Sequence, residues 1–501
     1  MKKYNSIFVC SAIAAILSIL SSMLVFSLVS RVPAFVDKEL SNTVFSGGIS
    51  GPVITVLMIV LPVCFILFSF VALSSYKKAI NESGFCATLE TKRKYFSAVH
   101  LFIICSSVIT LASIIYAGVH RNTIWDYQIS SFGIDAYMDF FNHVTYARYP
   151  SETYAQTMHA CFPPLAYVMY FLISRILPID STVKFHSELT SRYALLTYII
   201  YMVILVILLT FIIQKVLKSF GDGISLGVTI LIALSSVFIY NTERGNSVLL
   251  VLILLLTAMY LRESDKAWKK ELALILIAVA AGFKIYPAIF GLLYIVEKRW
   301  KEAIRLVIYG VMFFFMPFIF FGGLDGMKLF LANQLAVQNE GYASLTSVSS
   351  MARLIVGAIT GSPDNYGVIP VAATMIFILL CVIAFFNKKL DIWEKAMLLI
   401  SLISFAPAWS GSYTAIFFAL PMLLFFSNCH NGFGSGVTKA YRITCGVLFA
   451  VAFSMITFVT PNGTSLYEIR YIALHIINLL VIVKSAHGYF QSLTQRKKIK
   501  T

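Results

Sequence analysis

Residues 134–165 read IDAYMDFFNHVTYARYPSETYAQTMHACFPPL, and the rest of the chain is organised around them. A strongly apolar run, His100 to Gly118, precedes this stretch and another follows it, yet it holds Asp135, Asp139, Asn142, His143, Arg148, Glu152 and His159. In a chain that is 59% apolar and only 12% charged, a polar island between such runs marks a site. Its carboxylates are the candidate chemistry.

The 501 residues have a mean hydropathy of +0.84, with repeated apolar runs of about 18 residues or more, the length that crosses a bilayer as helix. These features predict an all-α, polytopic transmembrane protein of roughly 12 or 13 spans, with short interfacial helices in a large first outer loop. A soluble domain could not hide so much apolar surface, and a barrel would alternate residue by residue. The net charge of +16 does not point to nucleic acid, because Lys and Arg collect in short segments between apolar runs, as cytoplasmic loops require. The eight cysteines are scattered without a CxxC pair, which argues against zinc and against a disulfide framework. The opening MKK with its apolar run reads as an uncleaved first helix.

Taken in order, residues 1–96 hold two N-terminal helices (about Ile7–Val29 and Pro52–Leu73), 97–321 a catalytic core, and 322–501 a second outer segment and the C-terminal helices, all within one membrane domain. The third helix, Ala98–Gly118, delivers the polar island to the outside. Between Val119 and Met158, Arg121 and Arg148 stand against Asp126, Asp135, Asp139 and Glu152, a net of −2 that suits an external position. The middle, Cys161–Val296, admits two registers. In one, Phe162–Leu177 crosses inward and Leu272–Val296 is a single helix broken near Gly282–Pro287. In the other, Phe162–Leu177 is re-entrant and the broken segment is a hairpin of two short helices. Both place EKRWKEAIR (297–305) inside and Gly322–Pro363 outside.

Several polar residues qualify as site candidates. Asp135 and Asp139 stand four apart, so on a helix they share one face, where like charges make one carboxyl a better general base; a helix cap is the plainer reading for Asp135 or Asp126. Asn142, His143 and His159 lie in the same island. Pro163 and Pro164 suit the start of a helix. In NTERGN (241–246), Arg244 either grips a phosphate or pairs with Glu243, and Asn246 follows it. Lys284 interrupts the apolar AAGFKIYP, and a lysine so placed either snorkels or faces an anion. Arg353 closes the hydroxyl- and amide-rich outer segment 333–353, where it could meet a phosphate at the interface. Asp135 and Asp139 could in principle ligate a divalent metal, but two carboxylates make a weak metal signal, and no cofactor is expected.

The order of these pieces resembles the GT-C superfamily of polyprenyl-phosphate-sugar-dependent glycosyltransferases, nearest to glycosyltransferase family 87, the polyprenol-phosphate-mannose-dependent mannosyltransferase type. The pieces are MDFFN in the first outer loop, FPPL, ERGN before an apolar run, GFKIYP followed by EKRWKEA, SSMARL, and FAPAWSGSY, spanning about Gly118 to Leu420. The resemblance implies that Asp139 is the catalytic base. It further implies that Lys284 with Arg244 or Arg353 binds the lipid phosphate, and that Asp135, Asn142, His143 and Asn246 line the substrate site. The implied partners are a polyprenyl-phosphate sugar donor, a glycan or glycolipid acceptor and membrane lipid, at a plasma-membrane site facing the exterior or periplasm. One departure stands out: Gly411, Ser412 and Tyr413 follow Trp409 and Ser410 where family members carry histidine. The rival readings are a polysaccharide polymerase or ligase, which would put arginines rather than carboxylates in its first loop, and a transporter, which would show matched halves.

Overall fold

The computed structural model describes residues 96–119, 137–155, 160–176, 192–339, 346–361, 367–407, 412–458 and 466–500. The two expected N-terminal helices, and Asp126, Asp135 and His159, lie outside the described residues. Every regular element among those described is helical, as long apolar runs demand where no water can satisfy a backbone amide.

Helix α1 (Ala98–Val119) is followed by a covering layer made of α2 (Met138–Ala147), a 3₁₀ turn (Pro150–Ala155) and α3 (Pro164–Ile176). The middle consists of α4 (Arg192–Val216), α5 (Asp222–Leu234), α6 (Ser236–Arg244), α7 (Val248–Leu261), α8 (Ala267–Phe283), α9 (Gly291–Val296) and α10 (Trp300–Phe315). The last part holds α11 (Gly323–Asn339), α12 (Val348–Thr360), α13 (Ile369–Phe385), α14 (Ile392–Phe405), α15 (Ala419–Asn428), α16 (Gly436–Ala452) and α17 (Ile469–Lys500). Among the described residues, four segments have the length and apolarity to cross a bilayer: Ala98–Ala117, Leu196–Val216, Trp300–Ile319 and Ile469–Gly488. The pair α5–α6, bent by 59°, makes a fifth. Other apolar helices, α3, α7, α12 and α13 among them, are 10–17 residues long.

Ion pairs decide between the two registers of the middle. Arg262, just after α7, pairs with Glu297, just after α9, so the chain that leaves along α8 comes back to its starting end. Helices α8 and α10 run parallel: Glu271 pairs with Arg305 at 2.6 Å, while Gly282 at the far end of α8 lies against the Phe313 carbonyl of α10. The segment 267–296 is therefore a hairpin with Lys284 at its tip, and the reading of a single broken helix is corrected. The same holds for Phe162–Leu177: α3 is 13 residues long, about 20 Å against a hydrocarbon core of about 30 Å. It packs along α2 at both ends, through Tyr167 on His143 and Arg175 on the Arg148 carbonyl. With both segments turned back, Lys215, Lys218, Arg262–Lys270 and Lys298–Arg305 share one end of the bundle, and α2 caps the other.

Near the bend between α5 and α6, residues 453–458 leave helical geometry, and 453–457 of them remain buried. Their backbone groups are satisfied by hydroxyls instead. Ser113 donates to the Met455 carbonyl at 2.8 Å, the Met455 amide donates to Thr110 Oγ1 at 3.2 Å, and the Ile456 amide donates to Ser236 Oγ at 3.0 Å. The Ser236 amide, at the start of α6, donates in turn to the Ser454 carbonyl at 3.2 Å. Irregular backbone is tolerated at such depth only when protein groups complete it.

The Arg262 side chain is 1% exposed and closes the hairpin through Glu297. Glu297→Ala leaves that guanidinium with Glu263 and the Tyr294 ring, and loss of a buried charged hydrogen bond costs about 1–3 kcal/mol. Thermal unfolding in detergent is expected to show a lowered midpoint, and an unchanged midpoint would contradict the clamp.

Candidate active site

The end of α6 and the start of α2 meet in a short ladder. The Tyr137 amide donates to the Glu243 carbonyl at 2.5 Å. Arg244 Nη2 donates to Asp139 Oδ1 at 2.6 Å, and Asn246 Nδ2 donates to Asp139 Oδ2 at 2.8 Å. Arg244 thus pairs with Asp139, a partner that its sequence neighbourhood does not suggest. Both oxygens of the carboxylate are thus held by side chains that flank one residue, Gly245.

Gly245 makes this possible. It stops α6 in the left-handed conformation (φ 70°), with its amide on the Asn241 carbonyl, the usual role of glycine after a helix. A β-carbon there would lie 3.0 Å from Phe140 Cβ and 3.1 Å from the Tyr137 carbonyl oxygen. Tyr137 is itself left-handed (φ 63°) where α2 begins, so two unusual backbone positions abut. Sequence reading overlooked both; the ERGN turn was the available signal for Gly245, whereas nothing around Tyr137 announced its conformation.

Lys284 approaches from the hairpin tip, in extended conformation just past α8. It is 7% exposed, and its ammonium lies 3.1 Å from the centre of the Phe162 ring, a cation–π contact. Asp139 is within its electrostatic reach. Phe162 is held in turn: its carbonyl accepts from Tyr154 at 2.9 Å, and Asn333 on α11 donates to the Tyr154 and Ala160 carbonyls at 3.0 and 3.1 Å. Pro164 begins α3, as its missing amide allows.

His143 lies buried beneath, its Nδ1 3.0 Å from the Tyr167 hydroxyl and its ring stacked on Tyr170. Burial, and then the Lys284 charge, lower its proton affinity well below the ordinary histidine value. Asn142 is half-buried one turn after Asp139, and Arg353 is exposed on α12. Asp135 lies outside the described residues. Tyr413, in the 3₁₀ turn Ser412–Phe418, comes within electrostatic reach of both Asp139 and Arg244, so the last residue of FAPAWSGSY borders the site. The structure therefore brings Asp139, the Arg244–Asn246 turn and Lys284 together from three separate parts of the sequence. No cluster of three or more His, Cys, Asp or Glu side chains suited to a metal ion occurs among the described residues.

Beside the Lys284 tip, an apolar cleft of about 570 Å³ runs between α8, α9 and α10. Ala278, Ala281, Ala288 and Gly291 open it, and Ile304 and Val307, both exposed on α10, form its rim. The cleft starts within one turn of Lys284.

Residues 189–411 match the family model of glycosyltransferase family 87, a family of the GT-C superfamily. Arg244, Asn246, Lys284 and Arg353 fall inside the matched stretch, and Asp139 precedes it. No curated protein and no solved structure matches the chain.

Two outcomes are expected from this geometry. Gly245→Ala displaces the Arg244–Asn246 turn from Asp139, and a displacement near 1 Å can cost about 10²-fold in rate; sugar-transfer kinetics on folded protein test this, and an unchanged kcat would contradict it. His143 enters the fold neutral, whereas the unfolded chain takes up its proton below about pH 6.5. Its contribution to stability is complete above that pH and is lost as the pH falls below it. The melting temperature should therefore drop more steeply between pH 6.5 and 5 in the wild type than in His143→Gln; parallel curves would exclude this linkage.

Proposed function

We propose, from the premise that this chain is a membrane glycosyltransferase of family 87, that it moves a hexose, mannose or glucose, from a polyprenyl phosphate to a glycan or glycolipid acceptor. The observation that carries this reading is the meeting of a carboxylate, Asp139, with two cations, Arg244 and Lys284, at one end of the bundle. Asp139 takes the proton of the acceptor hydroxyl as the acceptor oxygen bonds to the anomeric carbon. The anomeric C–O bond to phosphate breaks, and its electron pair leaves with the polyprenyl phosphate. Arg244 and Lys284 neutralise that departing charge, the electrostatic role that usually dominates such chemistry.

The apolar cleft beside Lys284 suits the hydrocarbon tail, because small residues leave room for a methyl-branched chain and the rim is exposed where acyl chains would lie. Orientation follows from charge. The end bearing Lys215, Lys218, Arg262–Lys270 and Lys298–Arg305 is cytoplasmic by the positive-inside bias, so the site faces the periplasm or exterior. Nucleotide sugars do not reach that side, and a lipid-borne sugar does.

Removing a general base typically costs about 10²–10⁴-fold. Asp139→Asn is expected to abolish donor consumption by purified protein given a polyprenyl-phosphate hexose and an acceptor extract, with expression retained. A fully active Asp139→Asn protein would end this assignment. Lys284→Met should raise the donor KM and lower kcat; unchanged donor kinetics would remove Lys284 from the phosphate site.

A further inference from the structure

Asp139 has a difficulty as a base: in this structure its Oδ1 is held by Arg244 and its Oδ2 by Asn246. An acceptor hydroxyl must donate to one of these oxygens before it can surrender its proton; each oxygen keeps a second lone pair, but a guanidinium seated on Oδ1 competes with the hydroxyl for it. The two donors are not equivalent. Asn246 is neutral and buried, whereas Arg244 carries a charge and its side chain is 21% exposed, against 16% for Asp139. A guanidinium binds phosphate oxygens through the same forked geometry it offers a carboxylate.

On the reading of Asp139 and Arg244 given above, we propose that Arg244 is shared between the carboxylate and the donor phosphate, so that donor binding itself uncovers the base. In this structure Arg244 caps Asp139. An arriving polyprenyl phosphate, already drawn by Lys284 at the hairpin tip, recruits Arg244 away from Oδ1. Asn246 retains Oδ2 and keeps the carboxylate in place. The vacated Oδ1 then receives the acceptor hydroxyl, so the donor must bind first. No covalent bond changes in this exchange; one ion pair replaces another.

Competition for one arginine has a thermodynamic signature, because coupling between two partners of a shared group is reciprocal. If binding the lipid anion requires breaking the Asp139–Arg244 pair, deleting the carboxylate charge strengthens binding, and does so only while Arg244 is present. The experiment measures the affinity of free polyprenyl phosphate for the full-length protein in detergent or nanodiscs, as wild type, Asp139→Asn, Arg244→Gln and the double variant. Polyprenol without phosphate serves as the control ligand. Asp139→Asn is expected to bind polyprenyl phosphate about ten-fold tighter than wild type, within the usual range of coupling strengths, and this gain should vanish in the Arg244→Gln background. Simple repulsion between Asp139 and the phosphate would instead preserve the gain without Arg244, and that result overturns the proposal. So does an Asp139→Asn protein that binds no tighter than wild type.

If Arg244→Gln fails to fold, Arg244→Lys keeps the charge but lacks the fork and should reduce the gain. An undiminished gain in Arg244→Lys counts against sharing. Failure of the underlying functional reading looks different: no variant, wild type included, would then prefer polyprenyl phosphate over polyprenol.

Discussion

The carboxylate of Asp139 is joined to a turn more than a hundred residues further along the chain, and much of the surrounding architecture serves that junction. Helix α6 must stop at Gly245 for Arg244 and Asn246 to project on either side of the turn. Helix α2 must start at a left-handed Tyr137 for its first turn to reach them. The bend between α5 and α6 sets the direction from which that turn arrives, and hydroxyls of α1 and α6, bonded to the unwound 453–458 segment, stitch the bend in place. A polar site has thus been assembled among apolar helices from backbone shape first and charge second.

Charge then becomes tolerable because each group has an answer. Arg244 and Asp139 neutralise one another, while Lys284 rests its ammonium on the Phe162 ring. Desolvated ions are costly unless paired or met by an aromatic face. The two cations are thus held differently, the arginine by a carboxylate and the lysine on an aromatic face.

The fold class was legible because an apolar run of bilayer length has few alternatives, and the candidate residues because polar side chains stand out in such surroundings. Asp139, Arg244, Asn246 and Lys284 could all be named that way. Their mutual contacts could not: the Arg244–Asp139 and Arg262–Glu297 pairs join positions whose proximity depends on how short helices turn back, and hydropathy cannot distinguish a crossing from a re-entry when a segment has 11–17 residues. His143 illustrates the opposite limit. In the sequence it is one polar residue among several, yet its surroundings of Phe162, Tyr167 and Tyr170 form only when α2 and α3 pack. The importance of Gly245 and Tyr137 lay in backbone angles, which leave little trace in a single chain.

The hairpin of residues 267–296 bears on how the protein enters its membrane. Because both arms begin and end at the same basic end, none of the charges at its base, from Lys266 to Lys270 or from Glu297 to Arg299, has to be carried through a lipid phase. Lys284 alone travels inward, sheltered by the arms on either side. The ammonium carried to the tip is met there by the Phe162 ring, so the turn that spares the basal charges a crossing also delivers one charge to an aromatic face.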